Sequence, residues 1–302
     1  MELSREVRVW VDLASLSQPS SVPGTKCETT VSAKAFAGNR WLGTPSATGF
    51  GFPLSVGCKL RGDIDEIDGM LVNVKEVDGK VEACTHDLIE AFFLPLRSGS
   101  APRQEELSAS NEPSVKQTFE VLLGQLWSSL QTEFSDSLVL QEIRLSTCPQ
   151  LRYSMQESGM TSLIEQFEFS AAHFLQSDLL NAEENERRYG KCFSPSGHGH
   201  NYVFDVVIEG KTDPRTGKLI ELEKLERIVS ESVLAKLDHR NLNTDVPELL
   251  GRPTTVENLA QAIFDWLDGK FLPSKLSRVR LYETAKTFAE CDSPSVSTSV
   301  FS

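Results

Sequence analysis

The chain has 302 residues, which is long for one small domain and sufficient for two domains of the common size of about 100 to 150 residues. Its formal net charge of -13 argues against nucleic acid as a partner, because a phosphate backbone would be repelled. The sequence has no run of about 18 apolar residues and does not begin with a signal-peptide pattern, so we expect a cytoplasmic protein with no membrane partner. The six cysteines have no Cys-x-x-Cys spacing, which predicts reduced thiols.

Taken in chain order, the sequence predicts two domains. Residues 1–150 form the first domain, which contains a loop rich in serine, proline and charge over Arg97–Pro113. Pro149–Glu165 is the predicted linker, although its apolar residues indicate that it packs against the protein. Residues 165–292 form the second domain, and residues 293–302 are predicted to be a flexible tail.

The second domain has the pattern of an α+β unit. Its segments FEFSAAHF and HNYVFDVVIEG are rich in β-branched and aromatic residues, which is typical of strands, and the turn KTDPRTG follows them. Apolar residues at helical spacing predict a helix over Leu222–Leu237, and Thr255 is the predicted N-cap of a second amphipathic helix. SRVRLYET then closes the unit as a strand. We therefore expect an antiparallel sheet with two helices packed on one face.

An internal repeat relates the two halves of the chain. The block Thr48–Val77 aligns without a gap with Ser196–Leu225, at a constant offset of 148 positions. Two shorter blocks follow in the same order, PSVKQTFEVLLGQLW against PTTVENLAQAIFDWL and LQEIRL against LSRVRL. Three blocks in one order favour a duplication, so both halves are expected to have the same fold.

A histidine pattern in the second half indicates a metal site. His198 and His200 in GHGHNY project from the same face of a strand, because side chains alternate between faces. His173 in FSAAHF lies on a separate predicted strand and could supply a third nitrogen. Three histidine ligands leave the fourth tetrahedral position of zinc open, as in catalytic sites. The alternative is a surface pair of histidines beside a buried histidine that is satisfied by hydrogen bonds.

Further candidates lie near these histidines in the sequence. Cys192 lies six positions before His198, on a loop that can fold back over a metal, and a thiol there could act as a base. The alternative for Cys192 is an inert filler. Asp238 and His239 follow the first helix, where they could transfer protons or simply cap the helix. Glu283 in LYET could bind the edge of a guanidine-like heterocycle or face solvent.

Six motifs in this order carry a family resemblance: FSAAHF, GKCxxxxxGHGHNY, DPxTG, LDHRNLN, PTTVEN and LYET. Over about 125 residues they closely resemble the 6-pyruvoyl-tetrahydropterin synthase family, which includes the 6-carboxytetrahydropterin synthases of queuosine biosynthesis. The resemblance implies a T-fold, whose subunits join edge to edge into barrels with active sites at their interfaces. It also implies a homo-oligomer, which we expect to be a trimer of tandem chains that mimics a hexamer.

The resemblance implies a role for each matching residue. The implied zinc ligands are His173, His198 and His200. Cys192 is the implied proton-abstracting base, and Asp238 and His239 complete the proton-transfer set. The implied pterin pocket is lined by Thr254, Thr255, Glu257 and Glu283.

The implied activity is that of a zinc-dependent lyase. It converts 7,8-dihydroneopterin triphosphate to 6-pyruvoyl-tetrahydropterin with loss of triphosphate. Three alternatives remain open, namely the 6-carboxy product of the queuosine pathway, a non-catalytic pterin-binding or scaffold protein, and a zinc enzyme with a changed substrate such as dihydroneopterin without its triphosphate. The five residues between Cys192 and His198 favour the pyruvoyl product, because many queuosine-pathway members have three.

The first half lacks the implied site residues. The repeat alignment places Phe50 and Phe52 at the positions of the paired histidines, and Ala35 at the position of the third. Thr147 lies opposite Glu283, and Gln117 lies opposite Glu257. We therefore predict two tandem T-fold units, of which the first is degenerate, has no zinc site and has a structural role.

Overall fold

The computed structural model describes residues 1–12, 51–97, 118–134 and 138–293. The chain divides into two compact units, Met1–Thr161 together with Lys211–Lys218, and Ser162–Gly210 together with Leu219–Ser302. Several sequence-based expectations lie outside the described residues. These are the loop that begins at Arg97, the tail beyond Ser293, and the substitutions at Ala35, Phe50 and Gln117.

The first unit contains four strands and two helices in its described part. They are β1 (Glu2–Asp12), β2 (Gly51–Gly62), α1 (Val74–Arg97), α2 (Phe119–Glu133), β3 (Leu138–Cys148) and β4 (Leu151–Gln156). The strands lie in the order β1-β2-β3-β4, and each pairs antiparallel with the next. Alternate residues of β2, from Leu54 to Leu60, are fully buried, as expected for a sheet with one face on the core.

The structure differs from the predicted linker at the end of the first unit. Within Pro149–Glu165 it has the strand β4, in which Tyr153 is buried and pairs with Leu145 of β3. The apolar residues of this stretch therefore belong to a sheet, which explains why they indicated packing.

The second unit repeats this order of strands and helices. Its elements are β5 (Thr161–His173), α3 (Ala182–Tyr189), β6 (His198–Gly210), α4 (Leu222–Val229), α5 (Ala235–Leu237), β7 (Arg240–Asn241), α6 (Val256–Leu267), β8 (Lys275–Thr284) and β9 (Thr287–Asp292). The sheet order is β5-β6-β8-β9, with antiparallel pairing of β6 with β8 and of β8 with β9, and the short β7 pairs in parallel with β5. The predicted α+β architecture, an antiparallel sheet with helices, is confirmed.

The helices of the second unit follow their sequence signals with two differences. Thr255 is the N-cap of α6, as predicted, and its hydroxyl accepts a hydrogen bond from Asn258 N. The predicted helix over Leu222–Leu237 is interrupted by one π-helical segment, Ser230–Leu234. Helix α3 was not predicted, although Asn181 and Glu184 form a capping box at its start.

The turn after the second strand has the same geometry in both units. Gly69 N donates to Asp65 O at 2.9 Å, and Gly217 N donates to Asp213 O at 2.8 Å, at positions 148 residues apart. Both glycines have φ of 71°, a left-handed conformation that glycine adopts without steric cost. The shared glycines of the sequence repeat therefore correspond to one recurring turn.

A strand irregularity also recurs at the same offset. The register of β2 against β3 shifts between Lys59 and Leu60, and that of β6 against β8 shifts between Val207 and Ile208. A bulge changes which face the following side chains occupy, so it is a structural feature that must be matched for two strands to superpose. The strands of the two units therefore share this irregularity as well as their order.

The second helices align differently from the sequence blocks. Their N-caps, Thr118 and Thr255, lie 137 positions apart, whereas the sequence blocks imply 140. At the shorter offset, Leu122, Leu126 and Leu130 fall on Leu259, Ile263 and Leu267, and all six are buried.

The corrected offset changes one expectation for the first unit. Glu120, and not Gln117, lies opposite Glu257, so the first unit retains a carboxylate at this position. Glu120 is 5% exposed, whereas Glu257 is exposed. The corresponding glutamates of the two units therefore differ in burial, and the earlier expectation that this carboxylate is lost is wrong.

A carboxyl pair between β5 and α4 predicts a pH-dependent stability. Burial, the charge of Glu226 and a hydrogen bond to it raise the pKa of Glu165 from 4.5 to about 7. Because the folded state favours the protonated form, the free energy of unfolding falls as pH rises from about 4.5 to 7, and the loss persists above pH 7. Because the side chain is only half-buried, solvent screens part of this effect, so Glu165→Gln should stabilise the protein at pH 8 by about 1–2 kcal/mol and change little at pH 5.

Urea unfolding at the two pH values tests this expectation. Glu168→Gln is the matched control, because Glu168 is exposed on the same strand. Its effect should be small and similar at both pH values. An equal effect of Glu165→Gln at pH 5 and pH 8 would show that the carboxyl pair does not titrate in this range.

Candidate metal centre and active site

Three histidines come together at the ends of two neighbouring strands. His173 is the last residue of β5, and His198 and His200 are the first and third residues of β6. Ligating nitrogens of the three side chains all lie within 4.8 Å of one another, and His173 Nε2 is 3.2 Å from His198 Nε2. Two nitrogens bound to one zinc ion at about 2.0–2.1 Å with tetrahedral angles are about 3.3 Å apart. The predicted convergence of these histidines is therefore present.

The ring of His173 is oriented by a backbone carbonyl. Its Nδ1 lies 2.9 Å from Thr254 O, and the side chain is fully buried. Because a carbonyl oxygen can only accept, Nδ1 carries the proton and Nε2 presents its lone pair to the other histidines. Tyr202, also fully buried, places its hydroxyl 3.4 Å from the same ring. This is the outer-shell arrangement that fixes the tautomer of a metal-binding histidine.

Burial favours the neutral, ligating form of the histidines. It is the main cause that lowers the pKa of both His173 and His200 below the ordinary histidine value. His200 Nε2 is also buried without a hydrogen-bond partner among the residues that the structure describes. A buried nitrogen without a partner is costly, and a metal ion would satisfy it. The three residues therefore fit a metal held by three neutral nitrogen ligands.

Glu283 lies beside this cluster. One carboxylate oxygen is 3.4 Å from His173 Nε2 and 3.6 Å from His200 Nε2, and its side chain is 20% exposed. Glu283 is thus half-buried at the histidines, which disagrees with the alternative that it faces solvent.

The other predicted pocket residues surround the start of α6. Thr254 is buried, and its hydroxyl donates to Phe174 O at 3.1 Å. Thr255 is the N-cap of the helix, and Glu257 is exposed in its first turn. Thr254 therefore contacts the scaffold of the histidine cluster through both its hydroxyl and its carbonyl.

Cys192 ends a short 3₁₀ turn that follows α3. Leu175 N donates to Cys192 O at 2.8 Å, so the backbone of this turn returns to the chain two residues beyond His173. The thiol is free and half-buried. The loop thus folds back toward the end of β5 that has His173.

Asp238 and His239 form a pair that is attached to β5 through Ser170. Ser170 N donates to Asp238 Oδ1 at 3.0 Å, and His239 N donates to Ser170 O at 2.7 Å. Asp238 Oδ2 lies 2.9 Å from His239 Nδ1. The Ser170 amide and then His239 lower the pKa of Asp238 below its ordinary value. The carboxylate therefore stays charged and orients the imidazole.

The imidazole of His239 faces solvent in the single chain. Its side chain is 82% exposed, and its φ of 56° is unusual for a residue other than glycine. Within the described residues, the recorded contacts of Asp238 and His239 do not include the three-histidine cluster. The structure therefore brings His173, His198, His200 and Glu283 together, and His239 lines one pocket with His200 of that cluster.

Two contributors to the site were missed from the sequence. Tyr202 follows His200 by two positions and so shares its face of β6, which strand alternation could have indicated. Ser170 contacts Asp238 and His239 through its backbone, and no residue pattern signals such a contact.

Comparison with known proteins identifies the second unit. A family model described as 6-pyruvoyl tetrahydropterin synthase matches residues 162–294. The 6-pyruvoyl tetrahydrobiopterin synthase of Poecilia reticulata is 45% identical over 119 residues, which are 39% of this chain and 80% of that protein. The chain belongs to the 6-pyruvoyl tetrahydropterin synthase family.

Two further similar proteins have the same family name. The human 6-pyruvoyl tetrahydrobiopterin synthase is 44% identical over 117 residues, which are 38% of this chain and 80% of the human protein. A solved structure of the Caenorhabditis elegans 6-pyruvoyl tetrahydropterin synthase is 36% identical, covers 44% of this chain and 96% of its own, and has a TM-score of 0.42. The predicted family resemblance is confirmed. In the part of the present chain that the structure describes, no helix is long and apolar enough to cross a membrane.

Proposed function

We propose that the second unit is the catalytic unit of a 6-pyruvoyl tetrahydropterin synthase. This lyase converts 7,8-dihydroneopterin triphosphate to 6-pyruvoyl-tetrahydropterin and triphosphate. The observation that carries the proposal is the convergence of three histidine nitrogens within 4.8 Å in a chain whose relatives have this name. Neutral imidazoles with an open fourth position suit zinc, so zinc is the proposed metal.

The metal and the cysteine have complementary proposed roles. His173, His198 and His200 would hold the zinc ion, which would supply Lewis-acid chemistry to acidify the C–H bonds next to the hydroxyls of the substrate side chain. In this proposal Cys192, as a thiolate base, takes the proton from one of these C–H bonds. Asp238 accepts a hydrogen bond from the Nδ1–H group of His239. The other ring nitrogen, Nε2, can then transfer a second proton.

The proposed reaction needs no external oxidant, because the substrate side chain is oxidised while the pterin ring is reduced. Loss of triphosphate from the terminal carbon converts the neighbouring hydroxyl carbon into a methyl ketone. The other hydroxyl carbon is oxidised to a carbonyl as the 7,8-dihydro ring is reduced to the tetrahydro ring. Glu283 is proposed to bind the amino-pyrimidine edge of the pterin, with Thr254, Thr255 and Glu257 at the start of α6 completing its pocket.

We propose that the first unit is a second, non-catalytic T-fold copy with a structural role. The same order of strands and helices, the matched glycine turn and the matched bulge support this duplication. At Phe52 and Thr147 it lacks the imidazole and the carboxylate that the second unit has at His200 and Glu283. A cytoplasmic homo-oligomer of three tandem chains, equivalent to six units, is the proposed assembly.

Identification of the product tests the catalytic proposal. Zinc-loaded full-length protein should convert 7,8-dihydroneopterin triphosphate to 6-pyruvoyl-tetrahydropterin, detected by mass spectrometry together with free triphosphate. Protein stripped of metal by a chelator should give no product, and added zinc should restore it. A 6-carboxy product with acetaldehyde would instead indicate queuosine-type chemistry. Bound zinc without turnover would favour a non-catalytic pterin-binding role.

A further inference from the structure

A short segment of the second unit runs in parallel beside the end of β5. It comprises His239–Asn243 and follows Ser170–Phe174 residue by residue. Its pairing includes Ala171 with Arg240 and continues past β7, where Leu242 N donates to Ala172 O at 2.8 Å. This segment therefore connects the Asp238–His239 pair at one end with the metal-binding end of β5 at the other.

At its last residue the segment pairs through a side chain. Phe174 N donates to Asn243 Oδ1 at 2.9 Å, and Asn243 Nδ2 donates to Phe174 O at 3.0 Å. An amide side chain has the donor and acceptor of a peptide group, so Asn243 extends the pairing by one residue after β5 has ended. It satisfies both backbone groups of the residue that follows His173.

Thr254 closes this arrangement into a ring of contacts. Its hydroxyl donates to Phe174 O at 3.1 Å and lies 3.4 Å from Asn243 Oδ1. Its carbonyl oxygen lies 2.9 Å from His173 Nδ1. The contacts thus pass from Asn243 to Phe174, from both to Thr254, and from Thr254 to the ring of His173.

We infer that Asn243 is a positioning residue for the metal ligand His173. It fixes the backbone on one side of His173 and, with Phe174, the carbonyl that sets the orientation of its ring. The hydrogen bonds of the Asn243 side chain join it to Phe174 and Thr254, so its effect on His173 passes through these two residues. The inference rests on the proposed metal site, and it assigns a function to the last asparagine of LDHRNLN.

Removal of the side-chain amide should weaken metal binding. Asn243→Ala removes the acceptor of the Phe174 N–H group. It also removes the contact between the Asn243 side chain and the Thr254 hydroxyl. We expect the zinc affinity of the full-length protein to fall by about 3- to 10-fold, less than the roughly 10- to 100-fold typical of a direct partner of a metal ligand, because Asn243 acts through Phe174 and Thr254. Competition with a chromophoric chelator measures this change. Asn243→Asp retains the acceptor for Phe174 N and should recover most of the lost affinity.

Controls separate positioning from general destabilisation. Thr244→Ala changes an exposed neighbour and should leave zinc affinity unchanged. Nitrogen-15 NMR of His173 in metal-free protein should show one tautomer in the wild type and two in Asn243→Ala. If that variant does not fold, Thr254→Val, which retains the carbonyl and the side-chain shape, should still lose affinity several-fold.

The outcomes distinguish this inference from the proposed function. Wild-type protein that binds no zinc would overturn the proposed metal site. Wild-type protein that binds zinc, with Asn243→Ala within twofold of its affinity and unchanged in its His173 tautomer, would overturn only the role of Asn243. Unchanged affinity in Thr254→Val would do the same.

Discussion

His173→Ala should abolish turnover and lower zinc affinity by at least about 100-fold, because a direct ligand matters more than an outer-shell partner. His173 is the ligand for which the structure gives most support, since it is fully buried and its Nδ1 is bonded to Thr254 O. Removal of this buried ring also leaves a cavity, so the free energy of unfolding should fall by about 2–5 kcal/mol. Zinc competition, product formation and urea unfolding measure the three effects.

Substitutions of a second proposed ligand and of a distant histidine show whether the effect is specific to the histidine cluster. His198 is only half-buried, so His198→Ala should lose zinc with a smaller loss of stability. His86→Ala, in α1 of the first unit, should retain both zinc and turnover. Normal zinc content in His173→Ala and His198→Ala would contradict the proposed metal centre.

Cys192→Ala should separate proton transfer from metal binding. Cys192 is not one of the three clustered ligands, so zinc affinity should stay within a few-fold of the wild type. Without the proposed base, kcat should fall by about 100- to 10,000-fold, the usual contribution of a positioned general base. Steady-state kinetics and zinc competition on the same protein preparation measure the two quantities.

The matched control for this substitution is Cys148→Ala. Cys148 is also a free thiol, but it is exposed in β3 of the first unit. Its replacement should leave kcat unchanged. Retained turnover in Cys192→Ala would assign the proton transfer to another group, and lost zinc would make Cys192 structural.

The histidine cluster was predictable because most of its pattern is local. His198 and His200 share a face of β6 by strand alternation alone. The N-cap Thr255 was equally accessible, because its role depends on the residues that follow it within one turn. His173 required the further assumption that two strands are neighbours, and the structure supports that assumption.

The remaining features depend on contacts between distant residues. The attachment of Asp238 to Ser170 uses a backbone amide, so the identity of residue 170 gives no indication of it. The burial of Glu120 and the exposure of Glu257 follow from the surroundings of two helices whose first turns have similar sequences. The helix offset of 137 also needed the observed N-caps, because either alignment places apolar residues in phase.

The two units differ in length between the glycine turn and the N-cap of the second helix. The offset between matching residues is 148 at the glycine turns and 137 at the N-caps Thr118 and Thr255, so the stretch between these points is 11 residues longer in the first unit. In the second unit this stretch contains Asp238 and the segment His239–Asn243, which runs beside the end of β5. An insertion there would shift the proton-transfer pair relative to the metal ligand. Under the proposed duplication, selection for catalysis preserves chain length in one copy, and insertions became tolerable in the other once its chemistry was lost.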